Sequence, residues 1–251
     1  MIAIISPAKT LDYKKPIPGL PVTAPRYAAD AALLAGAAAR LSPERLSALM
    51  GISDNLATLN AERFRNFDTL PERPAIYAFA GDVYAGFEAH SLAEEAILFA
   101  QDHLRILSGL YGLLRPLDAI RPYRLEMGTK WAPERGDLYG YWGDRVGGLL
   151  ATDLDAQDDR VVINLASREY WHAVEAAPPA GARIITVDFR EQGPAGLRFN
   201  SFAAKRARGM MARFMCEHRL TEAEALKGFD TDGYRFDGDG STDTLWRFVR
   251  T

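Results

Sequence analysis

Ile2-Ala3-Ile4-Ile5-Ser6-Pro7-Ala8-Lys9 begins with four apolar residues in succession and stops them at a proline. A continuous apolar run of that length, bounded by a turn signal, reads as a buried strand that delivers Ser6, Pro7, Ala8 and Lys9 into a loop. Ala75-Ile76-Tyr77-Ala78-Phe79, set between Pro74 and Gly81-Asp82, reads the same way, as do Val161-Val162-Ile163 and Ile184 to Phe189. Leu197 to Phe202 is expected to return on the last of these through Gln192-Gly193-Pro194 as a short paired strand.

Helical patterns separate the strands. Tyr27 to Arg40 is rich in Ala and Leu, and Ser42-Pro43 supplies an N-cap with proline at the first helical position of a helix that Gly51 ends. A partner helix is expected to start at once from Ser53 or Asp54. Ser91 to Leu107 carries a capping box, Ser91 with Glu94, and an apolar stripe of Leu92, Ala96, Phe99, His103 and Ile106. Further helices are expected over Arg168 to Ala176 and Ala203 to Arg219, with another opening at Thr221-Glu222-Ala223-Glu224, and the tail from Asp230 to Thr251 reads as a closing hairpin. The pattern predicts an α/β fold of mixed α+β character: a single compact domain over residues 1–251, with a mixed sheet and flanking helices, and residues 42–67 as a protruding helical pair.

Composition bounds the function. At 251 residues, 48% hydrophobic and 25% charged, the chain has enough apolar side chain for a sizeable core, which excludes disorder as its dominant state. Its net charge of −3 excludes polyanion binding by bulk charge, so any such contact needs a local patch. One cysteine, Cys216, excludes an intramolecular disulfide framework. No run approaches the length of a membrane span and no signal peptide opens the chain, so no membrane partner is expected and the cytoplasm is the expected compartment.

The local patch lies near the end. From Leu197 to Arg219 the basic residues Arg198, Lys205, Arg206, Arg208, Arg213 and Arg219 meet one acid, Glu217, and Lys205 and Arg208 share a helix face. Lys9, one of only six lysines against twenty-four arginines, follows the first strand directly. Asn164 and Ser167 stand between a strand and a helix whose backbone N–H groups can receive an anion. If the strands are parallel neighbours, Lys9, Asn164 and Ser167 converge, since ligands bind beyond the carboxyl ends of such strands. Arg124, suited to a bidentate grip on phosphate or carboxylate, and Glu126 would complete the cleft. The competing reading is an internal Arg124–Glu126 or Arg–Asp network with Ser167 as a plain cap.

Leu49-Met50-Gly51-Ile52-Ser53-Asp54-Asn55-Leu56-Ala57 resembles a helix-hairpin-helix, which presents backbone N–H groups to a DNA phosphate. The second glycine of that motif is Ser53 here, and an ordinary helical hairpin with Ser53 as N-cap is the alternative. The four histidines, His90, His103, His172 and His218, are far apart, and Asp230, Asp232, Asp237 and Asp239 lack the spacing of a cage, so neither a metal site nor a cofactor is expected. Cys216 reads either as a peroxide-sensing thiol or as an inert core residue. Tyr111, Tyr123, Trp131, Tyr139, Tyr141 and Trp142 either stack on bases or pack the loop-rich stretch between Ser108 and Gly140.

Several motifs in one order carry a resemblance over the whole chain. They are Ile5-Ser6-Pro7-Ala8-Lys9-Thr10-Leu11, Gly81-Asp82-Val83-Tyr84, and Leu107 to Gly112 with Leu114-Arg115-Pro116-Leu117-Asp118. Pro122 to Gly128, Asn164-Leu165-Ala166-Ser167 with Glu169-Tyr170, and Lys205 to Arg208 complete the series. Together they resemble the peroxide stress response protein YaaA family. The resemblance implies a cytoplasmic protein that protects against hydrogen peroxide by lowering available iron, with a compact α/β fold, a positively charged cleft and a helix-hairpin-helix linked to DNA. It implies no settled catalytic mechanism.

Two functions are expected. In the first the chain is not an enzyme and holds duplex or distorted DNA through phosphates, using Lys9, Gly51, Ser53, Arg124, Asn164, Ser167, Lys205 and Arg208. In the second it is an enzyme acting on a small phosphorylated or carboxylated ligand in the same cleft, with Glu126 carrying the proton and Lys9 clamping the substrate. No sequence motif fixes a reaction class.

Overall fold

The computed structural model describes residues 1–157 and 159–251. Twelve strands and ten α-helices alternate along these residues. The strands are β1 (Ile2–Ile5), β2 (Thr10–Leu11), β3 (Arg73–Pro74), β4 (Phe79–Ala80), β5 (Leu104–Ser108), β6 (Gly112–Leu114), β7 (Ala119–Ile120), β8 (Val161–Asn164), β9 (Arg183–Gly193), β10 (Gly196–Arg198), β11 (Tyr234–Asp237) and β12 (Leu245–Arg250). The helices are α1 (Ala28–Ala38), α2 (Pro43–Met50), α3 (Asp54–Arg65), α4 (Ala75–Ala78), α5 (Asp82–Phe87), α6 (Glu94–His103), α7 (Leu138–Trp142), α8 (Arg145–Asp155), α9 (Arg168–Glu175) and α10 (Ser201–Glu217).

The main sheet runs β11-β12-β9-β8-β1-β5-β6, with β10 paired to β9. β1 lies parallel to β8 on one side and to β5 on the other, in register at Ala3↔Ile163 and Ala3↔Leu104. Successive strand residues point to opposite faces, so the full burial of all four residues of β1 means that both faces are covered. Helices α6 and α10 both pack on it. The fold is therefore mixed α/β around one hydrophobic core.

Two local contacts bring the basic residues together. The antiparallel pair β2–β4, in register at Thr10↔Ala80, sets Lys9 beside Gly81. Helices α5 and α10 cross with their backbones in contact: a Cβ on Gly86 would overlap the Arg206 carbonyl oxygen, and one on Gly209 would overlap the Val83 carbonyl oxygen. The glycines let α10 approach close enough to bring its basic first half against the Gly81–Val83 corner.

The α2–α3 pair forms as its capping residues predict. Ser42 accepts the Arg45 N–H at 3.3 Å, Pro43 occupies the first position, and Gly51 ends α2 at φ 59°. Ser53 has φ −65°, a value open to any residue, so the motif's second glycine is not required here. The turn is closed instead by the Ser47 hydroxyl, which donates to the Ile52 carbonyl at 2.7 Å.

Four expectations need correction. Ala75–Ala78 is a helical turn, and only Phe79–Ala80 is strand, because the N–H groups of Ala75 and Ile76 donate to the carbonyls of Asp118 and Pro116. The helix expected over Ser91 to Leu107 spans only Glu94–His103. Ser91 donates its hydroxyl to Glu88 and caps nothing, and Leu104–Ser108 is a wholly buried strand between β1 and β6. Phe202 belongs to the first turn of α10, leaving Gly196–Arg198 as the strand. The segment after Thr221 is a 3₁₀ turn over Ala223–Gly228. The closing hairpin, β11 with β12, forms as expected.

Candidate functional site

Because β1 and β8 are parallel neighbours, the loops at their carboxyl ends emerge side by side. Ser6 accepts the backbone N–H of Ser167 at 2.8 Å, and the two hydroxyls lie 3.3 Å apart. The convergence expected of Lys9 and Ser167 is therefore built. Ser167 precedes α9 with extended dihedrals and makes no side-chain cap, since its own N–H and hydroxyl are turned to Ser6.

Around this junction lies a cavity of about 450 Å³. Its basic lining is Lys9, Lys205 and Arg208; its hydroxyl lining is Ser6, Thr10 and Ser167; Asp82 and Glu169 are its carboxylates. Four segments far apart in sequence thus meet at one point, and three of the expected residues, Lys205, Arg208 and Lys9, supply the cations.

Arg208 carries the electrostatics. Its Nε is buried and has no hydrogen-bond partner. Burial pushes its guanidinium below the usual arginine range, opposed only by the charge of Asp188. Among the described residues no carboxylate pairs with Arg208, Lys205 or Arg206, whereas other cations of the basic segment are neutralised. Arg198 meets Glu191 at 3.2 Å, and Arg213 meets Glu217 at 3.3 Å. Lys205 and Arg208 bring unpaired charge to the cavity, while Arg206 and Arg219, which also make no ion pair among the described residues, do not line it.

Arg124 and Glu126 form the internal pair that was the competing expectation. Arg124 Nε donates to Glu126 Oε1 at 2.9 Å, and the exposed Lys9 ammonium lies 3.7 Å from the same oxygen. They border a smaller recess that shares Pro7, Ala8, Lys9 and Tyr170 with the main cavity. Glu126 Oε2 is buried without a partner.

Asn164 does not line the cavity. Its Oδ1 accepts the Ala166 N–H at 3.0 Å and its Nδ2 donates to Thr186 Oγ1 at 3.3 Å, so it is a buried brace for the β8–α9 turn. Gly51 and Ser53 are likewise absent from the lining. The N–H groups of Gly51 and Ile52 both donate to the Ser47 carbonyl, so any phosphate at that turn must be met by the start of α3.

Tyr111, Tyr123 and Trp142 pack the interior of the loop-rich stretch: Tyr123 shares a 2.6 Å hydrogen bond with Ser108, and Trp142 donates to the Gly109 carbonyl at 2.9 Å. Cys216 is fully buried, and burial pushes its thiol far up. Among the described residues no group of His, Cys, Asp and Glu has the geometry to hold a metal ion, and no helix is long and apolar enough to cross a membrane.

Sequence reasoning missed Asp82, Glu169, Tyr170 and Ser6 as lining residues. Their signal was position: Ser6 directly follows β1, Asp82 opens α5 just after β4, and Glu169 and Tyr170 sit in the first turn of α9.

The sequence profile of the peroxide stress protein YaaA family matches residues 1–239. The chain belongs to that family. A protein of Rhizorhabdus wittichii named UPF0246 protein is 63% identical over 252 residues, covering 100% of both chains. UPF0246 proteins of Alteromonas mediterranea and Caulobacter vibrioides are 49% and 48% identical over 255 and 253 residues, covering 100% of this chain and 98% and 99% of theirs. Family membership supports a role in peroxide stress. Those three relatives' names state no activity, so the chemistry must be argued from the cavity.

Proposed function

We propose that this protein acts in the response to hydrogen peroxide by binding DNA, gripping backbone phosphate at the cavity through Arg208, Lys205 and Lys9, with Ser6 and Ser167 as hydrogen-bonding partners. What supports this reading is the largely buried Arg208 guanidinium, whose Nε has no hydrogen-bond partner and which, among the described residues, makes no ion pair with a carboxylate. Withdrawing a cation from water is costly unless an opposite charge compensates, and an incoming phosphate does so. Such contacts hold DNA without reading sequence. The start of α3, beyond Gly51 and Ser53, offers a second phosphate contact. The lowering of available iron is then an indirect effect of binding DNA.

Fluorescence anisotropy with a short duplex tests the reading. Affinity is expected to fall linearly with log salt, with a slope of about −0.9 for each phosphate neutralised. Absence of binding, or affinity that ignores salt, would overturn it.

One observation favours a second reading, an enzyme acting on a small phosphorylated or carboxylated molecule. Glu126 Oε2, buried and unpartnered beside the Lys9 loop, can accept a proton, or a hydrogen bond from a hydroxyl, of a bound ligand. A thermal-shift screen of sugar phosphates, nucleotides and organic acids separates the two. Stabilisation that vanishes in Lys9→Ala supports the enzyme, and indifference to all of them with retained DNA binding supports the first reading.

A further inference from the structure

Beside Lys205, one of the cavity's cations, lies exposed aromatic surface that the phosphate grip leaves unused. Phe202, in the first turn of α10, is 71% exposed, and Phe199 and Leu197 just before it are 52% and 43% exposed. A cluster of exposed large apolar side chains, unlike a single one, points to a surface that meets a partner. Here they are set among cations: Lys205 Nζ lies 5.9 Å from the Phe202 ring and Arg190 lies over Phe199 at 5.5 Å. Lys205 stands three residues after Phe202 and three before Arg208, so one helix joins the exposed rings to the largely buried guanidinium.

An internal stretch of duplex uses neither feature fully. Its bases are stacked on both faces, so a side chain finds no free ring to lie on. Its phosphates, each held by two ester bonds, meet the cavity only at the mouth. A strand end satisfies both. The terminal base has one open face, and a terminal phosphate, held by a single ester bond, can swing out into the cavity. There it presents three oxygens and a charge near −2 at pH 7, against −1 for a phosphodiester. Three cations, Lys9, Lys205 and Arg208, line the cavity against two carboxylates, Asp82 and Glu169, and Ser6, Thr10, Ser167 and Tyr170 bring hydroxyls to its wall.

We propose that the cavity receives the terminal phosphate of a DNA strand end, with Phe202 stacking on the terminal base. The inference rests on the DNA-binding reading and narrows it to broken or open ends. It also fits a peroxide-stress role, because hydroxyl radicals attacking deoxyribose leave strand breaks that carry terminal phosphates.

Anisotropy on one duplex sequence in four forms tests this: both ends hydroxyl, 5′-phosphate, 3′-phosphate, and a covalently closed dumbbell without ends. A terminal phosphate at either end is expected to tighten binding at least about tenfold over hydroxyl ends. The gain is expected to disappear in Arg208→Ala and to persist in part in Arg208→Lys, which retains the charge. Phe202→Ala is expected to weaken binding to the open duplexes about tenfold and to leave the dumbbell unchanged. Arg206→Ala, which removes an exposed cation outside the cavity, lowers affinity for all forms alike. Circular dichroism melts of each variant establish that it is folded. Equal affinity for phosphate and hydroxyl ends, or a dumbbell bound as tightly as the phosphorylated duplex, overturns the strand-end assignment while leaving DNA binding intact. A nucleoside monophosphate competing as well as the phosphorylated strand overturns it in favour of a small ligand. No binding to any form overturns the DNA reading itself.

Discussion

The Ser6 hydroxyl oxygen accepts the backbone N–H of Ser167 at 2.8 Å, tying the loop after the first strand to the start of α9 across 161 positions of sequence. Ser6→Ala leaves that N–H without its partner. The loss is expected to be about 1–3 kcal/mol of stability, read as a lower midpoint at unchanged slope in urea unfolding. Lys9 and Ser167 share the cavity held by this bond, so phosphate affinity should fall with it.

Gly209 permits the backbone contact between α5 and α10. In Gly209→Ala the new methyl overlaps the Val83 carbonyl oxygen, and the helices must separate. A loss of about 1–3 kcal/mol is expected, together with displacement of Lys205 and Arg208 from the cavity. Gly36→Ala in α1 is the control: nothing lies within 4 Å of the added carbon, so alanine's helix preference should stabilise the protein by about 1 kcal/mol. Thermal melts of the two variants should move in opposite directions.

On α8, Asp153 holds two arginines, Arg105 Nε and Arg26 Nη1, each at 2.5 Å. Burial raises its pKa, but the two arginine hydrogen bonds and charges outweigh it, so the carboxyl lies below its usual range. A depressed folded-state pKa gives stability that is present above the unfolded value of about 3.9 and lost as pH falls through the folded value. Asp153→Ala strands two cations and should cost about 3–5 kcal/mol at neutral pH. In acid, where the wild-type carboxyl is also neutral, the gap between the two proteins should narrow. Urea unfolding at neutral and acidic pH checks both statements.

Strand ends and helix boundaries were legible because single residues determine them: Pro7 after Ile5, Ser42 with Pro43, and Gly51 fall where the structure uses them, and Ser53 precedes α3 although its side chain makes no capping hydrogen bond. Ala75–Phe79 was misread because a short apolar run is equally good as buried helix or buried strand, and only the tertiary carbonyls of Pro116 and Asp118 decide. The same ambiguity extended α6 through Leu104–Ser108, where Ile106 fits a helical stripe as well as a buried strand. At the site, Lys9, Ser167, Lys205 and Arg208 were legible from strand ends and helix spacing. Asn164 was not, since its amide turns inward to Ala166 and Thr186, and the partners that neutralise Arg198 and Arg213 lie on other elements or a helical turn away.

Cys216 is the lone thiol, and its burial pushes the thiol well up, which disfavours the thiolate that reacts with peroxide. Under native conditions iodoacetamide should label it negligibly, with full labelling after denaturation. Cys216→Ala should leave DNA affinity unchanged in the presence and absence of hydrogen peroxide.

The central claim, an Arg208 without an ion-pair partner that takes a phosphate, is tested most directly by comparing the salt dependence of duplex binding in wild-type protein and Arg208→Ala. The account predicts weaker binding by the variant and a log–log slope shallower by about 0.9, the share of one phosphate contact. A variant that remains folded and binds with the wild-type affinity and slope would contradict it.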